Sequence, residues 1–244
     1  MEKADTIIWK DKNAEKIFSN FSIDDFLDFS RHSSKELQEC TGLTTTIMRE
    51  HADKSTGETN RRMTKININK NIFFLKKARG TAFPNIKNEF EAINSLHKFD
   101  LLSSDIAAYL LDEKKREGFV LLKELTGYYS IKELITNIAP QTAIDDFLNR
   151  KEDILKQIAE KMRIVHKKGY SYPDLFAKHI YLKEGTEDIV LIDLERFRPL
   201  NKCPWYFSFP VSSIFVRNKC WKKFRRSLKS EFLPEPLLKK LLHE

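Results

Sequence analysis

Two aspartates in one short stretch of the chain stand in apolar surroundings and could carry out chemistry. Asp174 lies in the sequence Tyr-Pro-Asp-Leu-Phe, and Asp193 follows the apolar run Ile-Val-Leu-Ile. An ionised carboxylate in such surroundings costs several kcal/mol unless a cation or donor compensates it. His179, five residues after Asp174, can serve the same site. One acid that orients a hydroxyl, and a second acid that holds Mg²⁺ with another ligand, are what phosphoryl transfer needs.

A lysine and a glutamate ahead of this stretch supply the remaining groups. Lys76 and Lys77 lie in the predicted strand IFFLKKAR, residues 72–79, where successive side chains point to opposite faces. One of the two lysines must therefore face the buried side of the sheet or a cleft. Glu89 lies beside the apolar stripe of the next predicted helix. A strand lysine paired with a helix glutamate can hold the α- and β-phosphates of ATP.

Each of these residues, taken alone, has an ordinary structural explanation. Lys76 could be a solvated strand lysine, and Glu89 could be a charge on an exposed helix surface. His179 could be a hydrogen-bonded core histidine, and Asp174 could be a helix cap or a turn residue. The order and spacing of these four together with Asp193 is more specific, and it favours a phosphotransferase site.

The predicted elements divide the chain into a β-rich part and a mainly helical part. The β-rich part has strands at 44–51, 63–69 and 72–79, a helix at 85–98, and a strand pair at 106–113 and 119–125. After a hinge at 126–128 come short helices at 130–139 and 141–149, a long helix at 152–168, and a hairpin of HIYL and DIVLID. We therefore predict an α+β fold with an N-terminal extension (1–40), a β-rich N-lobe (41–125) and a helical C-lobe (126–244).

The positive charge of the protein is local. The chain of 244 residues has a net charge of +8, and residues 217–229 alone carry seven basic residues and no acid. Trp221, Phe224 and Leu228 recur there at helical spacing, which predicts an amphipathic helix with a cationic face. Such a helix is either an ordinary solvated surface or a docking site for anionic lipid or phosphorylated glycolipid. No motif supports binding of nucleic acid.

Hydropathy and cysteine spacing predict the cellular compartment and the state of the thiols. There is no apolar run of 18 or more residues and no apolar segment of a signal peptide at the N-terminus, so we expect a cytoplasmic protein. Cys40, Cys203 and Cys220 lie far apart and form no CxxC motif. We therefore expect free thiols rather than a disulfide framework or a zinc site.

Four motifs together carry a resemblance to a known family. FFLKKARG is similar to a Phe-x-Lys-x-x-Arg-Gly strand and selects Lys76 over Lys77, while KNEFEAINSL is similar to an Asn-Glu-x-x-Ala-Ile-x-x-Leu helix and selects Glu89. SYPDLFAKHIYL is similar to a catalytic loop of the form Asp-x-x-x-x-His-x-x-Leu, and LIDLERFR to an Ile-Asp-Leu-x-Arg signature. In these motifs, residues 44–196 resemble the protein-kinase-like fold and, more narrowly, the lipopolysaccharide kinase (Kdo/WaaP) family.

This resemblance implies a bilobal protein-kinase-like fold and an ATP- and Mg²⁺-dependent kinase that phosphorylates a heptose or Kdo hydroxyl of the lipopolysaccharide inner core. It implies that Asp174 is the catalytic aspartate. It also implies that Lys76 and Glu89 position the nucleotide, and that His179 and Asp193 bind the metal or phosphate. The implied partner is the lipid A–core glycolipid, at the cytoplasmic face of the inner membrane. The oligomeric state stays open.

The sequence departs from protein kinases in its catalytic loop. Tyr172-Pro173-Asp174 replaces the usual His-Arg-Asp. Phe176 stands where protein kinases have a lysine two positions after the catalytic aspartate. Lys178 is the candidate that we expect to supply the missing charge.

The predicted phosphate-covering loop also departs from the kinase pattern. It contains only Gly57 and no GxGxxG, so Thr56, backbone amides or nearby arginines must bind the nucleotide. The alternatives are another small-molecule or protein kinase of this fold, and a pseudokinase that binds the membrane surface. The lysine, the glutamate and both aspartates are all present, which favours an active enzyme.

Overall fold

The computed structural model of the protein describes residues 6–28, 43–202 and 209–228, the last range without the side chains of 209–217. Two units can be distinguished along the chain. The first comprises Met1–Phe90 and Ser104–Leu125, and the second comprises Glu91–Ser103 and Thr126–Glu244.

The helices and strands mix along the chain and confirm the predicted α+β class. The described strands are β1 (Ile8–Trp9), β2 (Thr44–Ala52), β3 (Thr59–Ile68), β4 (Asn71–Arg79), β5 (Leu102–Ser103), β6 (Ile106–Asp112), β7 (Glu117–Lys123), β8 (Tyr128–Ser130), β9 (Tyr170–Ser171), β10 (Ile180–Lys183), β11 (Ile189–Leu191) and β12 (Arg198–Pro199). The described α-helices are α1 (Lys12–Ile17), α2 (Ile23–Leu27), α3 (Phe83–Lys98), α4 (Ile131–Ile135), α5 (Gln141–Lys167) and α6 (Phe209–Ser227). Short 3₁₀ turns lie at Gly80–Ala82, Ala177–His179 and Leu200–Lys202.

The first unit is built on one antiparallel sheet. Within the described residues its strand order is β1-β6-β7-β4-β3-β2. The hairpin of β3 and β4 closes through Asn69 and Lys70, which both have positive φ (50° and 63°). Two successive left-handed residues match the twist of the flanking strands. Strand β4 pairs with a neighbour on each side, so its lysines lie in the interior of the sheet.

Aromatic side chains fill the core of the first unit. Phe26 of α2 stacks on Phe119 with ring centroids 4.7 Å apart, and Phe18 meets Phe73 at 5.2 Å. The helix that carries Phe26 begins after Ser22, which caps it in a capping box. The described part of the predicted N-terminal extension is therefore part of the first unit's core, and residues 1–5 and 29–42 lie outside the described residues.

One prediction for the second unit is wrong. The two helices expected at 141–149 and 152–168 form the single helix α5, of 27 residues. No glycine or proline interrupts it, and Arg150 forms an ion pair with Asp146 one turn earlier, across the expected break. Its buried residues, among them Ile158 and Val165, recur on one face.

Small sheets frame the loops of the second unit. β5, β11, β10 and β8 form one sheet, in which the predicted hairpin appears as β10 and β11. β9 and β12 form a separate pair. In the predicted hinge, Gly127 has φ +78°, a conformation that favours glycine.

Helix α6 turns its apolar side chains into the second unit. Trp221, Phe224 and Leu228 are all buried, while Lys222 and its basic neighbours on the other face are exposed. The apolar stripe predicted from their spacing is therefore already covered by the protein itself. No helix within the described ranges is long and apolar enough to cross a membrane.

Candidate active site

In the first unit, Lys76 and Glu89 form a buried ion pair. Lys76 Nζ lies 2.6 Å from Glu89 Oε1, and the side chains are 11% and 2% exposed. The explanations of Lys76 as a solvated lysine and Glu89 as a surface charge are therefore wrong. The second carboxylate oxygen, Glu89 Oε2, is buried and has no hydrogen-bond partner among the described residues. Because this oxygen has no hydrogen bond within the described part of the chain, the ion pair with Lys76 is what stabilises the buried charge of Glu89.

The neighbouring lysine has a different partner. Lys77 is also buried, and its ammonium donates to the backbone carbonyl of Asp28, after helix α2. The alternation of the strand thus sends Lys76 toward helix α3 and Lys77 toward the N-terminal segment. Lys76 therefore meets the carboxylate of Glu89 on α3, and Lys77 meets a backbone carbonyl.

The turn between β2 and β3 is held by a carboxylate. Asp53 accepts hydrogen bonds from Ser55 and Thr81, and the Ser55 bond is the largest cause that holds the pKa of Asp53 well below its usual value. Thr56 Oγ1 accepts from the amide of Glu58, and Gly57 has φ +72°. The segment predicted to cover phosphates is therefore an ordered turn that carries backbone amides.

In the second unit, Asp174 is held between two cations. Its Oδ1 atom accepts from Arg196 Nη1 at 3.0 Å and from Lys223 Nζ at 3.2 Å. The Asp174 side chain is 16% exposed, so the explanation of this residue as an ordinary turn or cap is insufficient. Because both cations contact Oδ1, the other oxygen, Oδ2, is the better placed to accept a proton from a hydroxyl.

His179 links Asp174 to Asp193. Its Nδ1 atom lies 2.8 Å from the backbone carbonyl oxygen of Asp174, and its Nε2 atom lies 3.1 Å from Asp193 Oδ2. A carbonyl oxygen only accepts, so Nδ1 carries the proton and the neutral ring presents a lone pair at Nε2. Burial lowers the pKa of His179, although the Asp174 carbonyl and the Asp193 carboxylate both act to raise it.

Asp193 follows the end of strand β11 in an unusual conformation. Its φ of +56° lies in the left-handed region, which aspartate tolerates better than most residues but which still costs free energy. The neighbouring Ile192 is fixed on both sides: its amide donates to the His179 carbonyl, and its carbonyl accepts from the Tyr172 hydroxyl at 2.5 Å. These bonds hold the strained residue beside His179.

Sequence reasoning placed the acids and the histidine but missed the two cations. Arg196 stands inside the Ile-Asp-Leu-x-Arg motif without an assigned role, and Lys223 was counted only in a basic surface stretch. Lys178, the predicted source of charge, has its ammonium 5.9 Å from the centre of the Phe176 ring. The Asp174 contacts come instead from Lys223 and Arg196, and no local motif marks the former.

The candidate metal site offers two facing ligand atoms, one from His179 and one from Asp193. Among the residues that the structure describes, no group of three or more His, Cys, Asp or Glu side chains could hold a metal. The predicted roles of Lys76, Glu89, Asp174, His179 and Asp193 stay predictions. The five lie in two groups: the ion pair in the first unit, and the linked Asp174, His179 and Asp193 in the second.

Comparison with known proteins identifies the fold. A solved structure described as WaaP in complex with acyl carrier protein is similar at a TM-score of 0.61 with 16% identity, over 98% of this chain and 88% of that one. Titin kinase with its flanking domains matches at 0.47 and 16% identity (95% and 45% covered), and the BubR1 kinase domain at 0.47 and 13% (76% and 62%). A search of curated protein sequences finds no match.

The family model of the lipopolysaccharide kinase (Kdo/WaaP) family matches residues 28–202, which is most of the chain and includes all five predicted site residues. The protein therefore has a protein-kinase-like fold and is a phosphotransferase: the chain belongs to the lipopolysaccharide kinase (Kdo/WaaP) family.

Proposed function

We propose that the protein transfers the γ-phosphoryl group of ATP, with Mg²⁺, to a sugar hydroxyl of the lipopolysaccharide inner core, on a heptose or on Kdo. The observation that carries this proposal is the arrangement around Asp174. One carboxylate oxygen is held by Arg196 and Lys223, and the backbone of the same residue holds His179 against Asp193. A fixed acid beside a pair of potential ligands suits transfer by positioning and charge neutralisation.

In this proposal, Asp174 orients the sugar hydroxyl and accepts its proton. The carboxylate has little freedom to turn because two cations hold Oδ1. A base that is fixed within hydrogen-bond reach of a bound hydroxyl lowers the barrier by orientation as well as by proton transfer.

The pair of His179 and Asp193 fits a small divalent ion. Their facing atoms are 3.1 Å apart, and neighbouring ligands of an octahedral ion at about 2.1 Å also lie about 3 Å apart. Two protein ligands suffice, since Mg²⁺ in such enzymes keeps waters and binds substrate phosphates. The ion would neutralise phosphate charge when bound, and the protein's own contribution is to hold the two donors at this spacing.

Lys76 is proposed to bind the nucleotide phosphates. Its ammonium is buried against Glu89, which fixes the long lysine side chain in one position. The ordered turn that contains Thr56 and Gly57 adds backbone amides on the same unit. These groups take the place of the missing glycine-rich motif.

We also propose that the protein contacts the cytoplasmic face of the inner membrane through the exposed basic face of α6. Lys222, Arg225 and Arg226 are exposed on this helix. Because Trp221 and Phe224 are buried in the protein, attraction to anionic lipid and to glycolipid phosphates supplies the contact, rather than insertion of apolar side chains.

The test is phosphate transfer to purified lipopolysaccharide whose core lacks phosphate, followed by mass spectrometry of the released core sugars. Asp174→Asn should lower turnover at least about 100-fold, since it removes the base and keeps the shape. Asp153→Asn is the matched control, because Asp153 is an exposed aspartate of α5. Both variants should keep a melting temperature close to that of the wild type.

Three outcomes would overturn parts of this proposal. Full turnover in Asp174→Asn would remove that residue from the mechanism. Transfer to proteins or small molecules, but not to lipopolysaccharide, would favour another kinase of the same fold. A melting temperature that does not rise with Mg-ATP, together with no turnover, would favour a pseudokinase that acts as a binding module.

A further inference from the structure

One face of helix α6 follows the loop that carries Asp174. The S–H of Cys220 donates to the carbonyl of Tyr172 at 3.0 Å, and the amide of Ala177 donates to Ser227 Oγ at 2.8 Å. Lys223 lies between Cys220 and Ser227 on the helix, and its ammonium donates to Asp174 Oδ1. Positions 220, 223 and 227 share a helix face, and they meet loop positions 172, 174 and 177 in the same order.

Buried side chains fix the register of this helix. Trp221 and Phe224 are 4% and 0% exposed, and their rings meet with centroids 5.8 Å apart. Burial also raises the pKa of the Cys220 thiol to about 12, so this residue stays an uncharged hydrogen-bond donor to the loop. Helix α6 is therefore positioned to hold Lys223 in place at Asp174.

The aromatic side chain of the loop supports the same lysine. The Lys223 ammonium lies 5.4 Å from the centre of the Phe176 ring, within the range of a cation–π contact. The Lys223 side chain is 24% exposed, so a phosphate group can still approach its ammonium. The lysine thus has one carboxylate partner, one aromatic partner and an open side.

We propose that Lys223 is a positioning residue for phosphoryl transfer: it holds Asp174 in place and puts a positive charge beside the phosphoryl group. This inference rests on the proposed function. A hydroxyl bound to Asp174 lies about 3 Å from that carboxylate. A phosphoryl group that attaches to it comes within a few ångströms of Lys223 Nζ, which is 3.2 Å from Oδ1. Helix α6 in this way supplies the charge that Phe176 does not.

The test compares Lys223→Met with Lys167→Met. Lys167 is an exposed lysine of helix α5 in the same unit, so both variants lose one lysine and only one loses the contact with Asp174. We expect kcat to fall about 10- to 100-fold in Lys223→Met, with KM for ATP changed less than about threefold, and no change in Lys167→Met. A partly exposed ion pair contributes little to stability, so the melting temperatures should agree closely.

Rescue separates a role of the charge from a role in folding. Lys223→Arg keeps the charge on the helix, and Phe176→Lys combined with Lys223→Met returns a lysine to the loop itself. Recovery of kcat in either variant supports the inference. Recovery in neither, or a kcat of Lys223→Met within about twofold of the wild type, overturns it.

ATP hydrolysis without an acceptor separates this inference from the proposed function. If the wild type hydrolyses ATP but does not phosphorylate lipopolysaccharide, the proposed substrate is wrong, and the same variants decide the role of Lys223 from the hydrolysis rate. If the wild type turns over no ATP in either assay, both proposals are overturned.

Discussion

The imidazole of His179 faces the carboxylate of Asp193 with Nε2 and Oδ2 3.1 Å apart. The other ring nitrogen donates to the Asp174 carbonyl, so in the neutral ring two atoms with lone pairs face each other. Such a pair is stabilised by a proton or by a metal ion between the two atoms. Burial lowers the pKa of His179, which disfavours the proton and is consistent with the proposed role of this pair as metal ligands.

The first prediction concerns metal binding at this pair. His179→Asn should keep Mg²⁺-dependent turnover with a weaker apparent affinity, because an amide oxygen is a ligand that Mg²⁺ accepts. His179→Leu should lower turnover about 100-fold, since it removes the donor. Electron paramagnetic resonance measures Mn²⁺ binding in the presence of nucleotide, and it tests the predicted loss of the metal ligand without an assay of turnover. Equal Mn²⁺ affinity in His179→Leu and the wild type would contradict it.

The second prediction concerns the pH dependence of stability. The folded protein binds a proton at His179 less readily than the unfolded chain does, because burial lowers the pKa of His179. The contribution of His179 to the free energy of unfolding is therefore present above about pH 6.5, and it is lost as the pH falls through the lowered pKa. The free energy of unfolding of the wild type should fall more steeply than that of His179→Asn between about pH 7.5 and 5.

Urea unfolding of both proteins across this range measures that difference. The pKa of His51 is also lowered, chiefly by burial, but His51 is the same in both proteins and cancels from the comparison. Parallel stability curves would show that His179 titrates as an exposed histidine does.

The third prediction concerns the Lys76–Glu89 ion pair. Lys76→Met should lower the free energy of unfolding by about 3 kcal/mol, because it leaves the buried Glu89 carboxylate without its cation. Adding Glu89→Gln should recover part of the loss, since the stranded charge is then gone. Neither variant should gain melting temperature with Mg-ATP, whereas the wild type should.

A double-mutant cycle in urea provides the measurement. Lys87→Met with Glu113→Gln is the control, because this pair joins a lysine of α3 to an exposed glutamate on the surface of the same unit. The control cycle should give a coupling of less than about 1 kcal/mol. A coupling at Lys76 and Glu89 that is equally small would contradict the prediction.

The fourth prediction concerns the basic face of α6. Changing Lys222, Arg225 and Arg226 together to glutamine should weaken binding to vesicles that contain anionic lipid by about two orders of magnitude, since each cation contributes about 1 kcal/mol near such a surface. Glutamine changes at Lys114, Lys115 and Arg116 remove the same charge from an exposed turn of the first unit and should have a smaller effect. Equal losses in vesicle co-sedimentation would show a response to net charge alone.

Much of the fold could be predicted because it depends on local patterns. Alternation and β-propensity marked β2, β3 and β4, and helical spacing of apolar residues marked α3. The two helices predicted in place of α5 show the limit of local reasoning: helix-compatible residues from Asn149 to Lys151 join the two patterns without a break.

By itself, the sequence determined the family and the order of the acids, the lysine and the histidine, because each is carried by a motif within a single loop, strand or helix. Only the tertiary structure decided what holds Asp174. Lys223 lies 49 residues further along the chain, and it reaches Oδ1 because Trp221 and Phe224 pack into the second unit and set the register of α6. Long-range packing selects one lysine from a stretch of seven basic residues, and no local pattern distinguishes it from its neighbours.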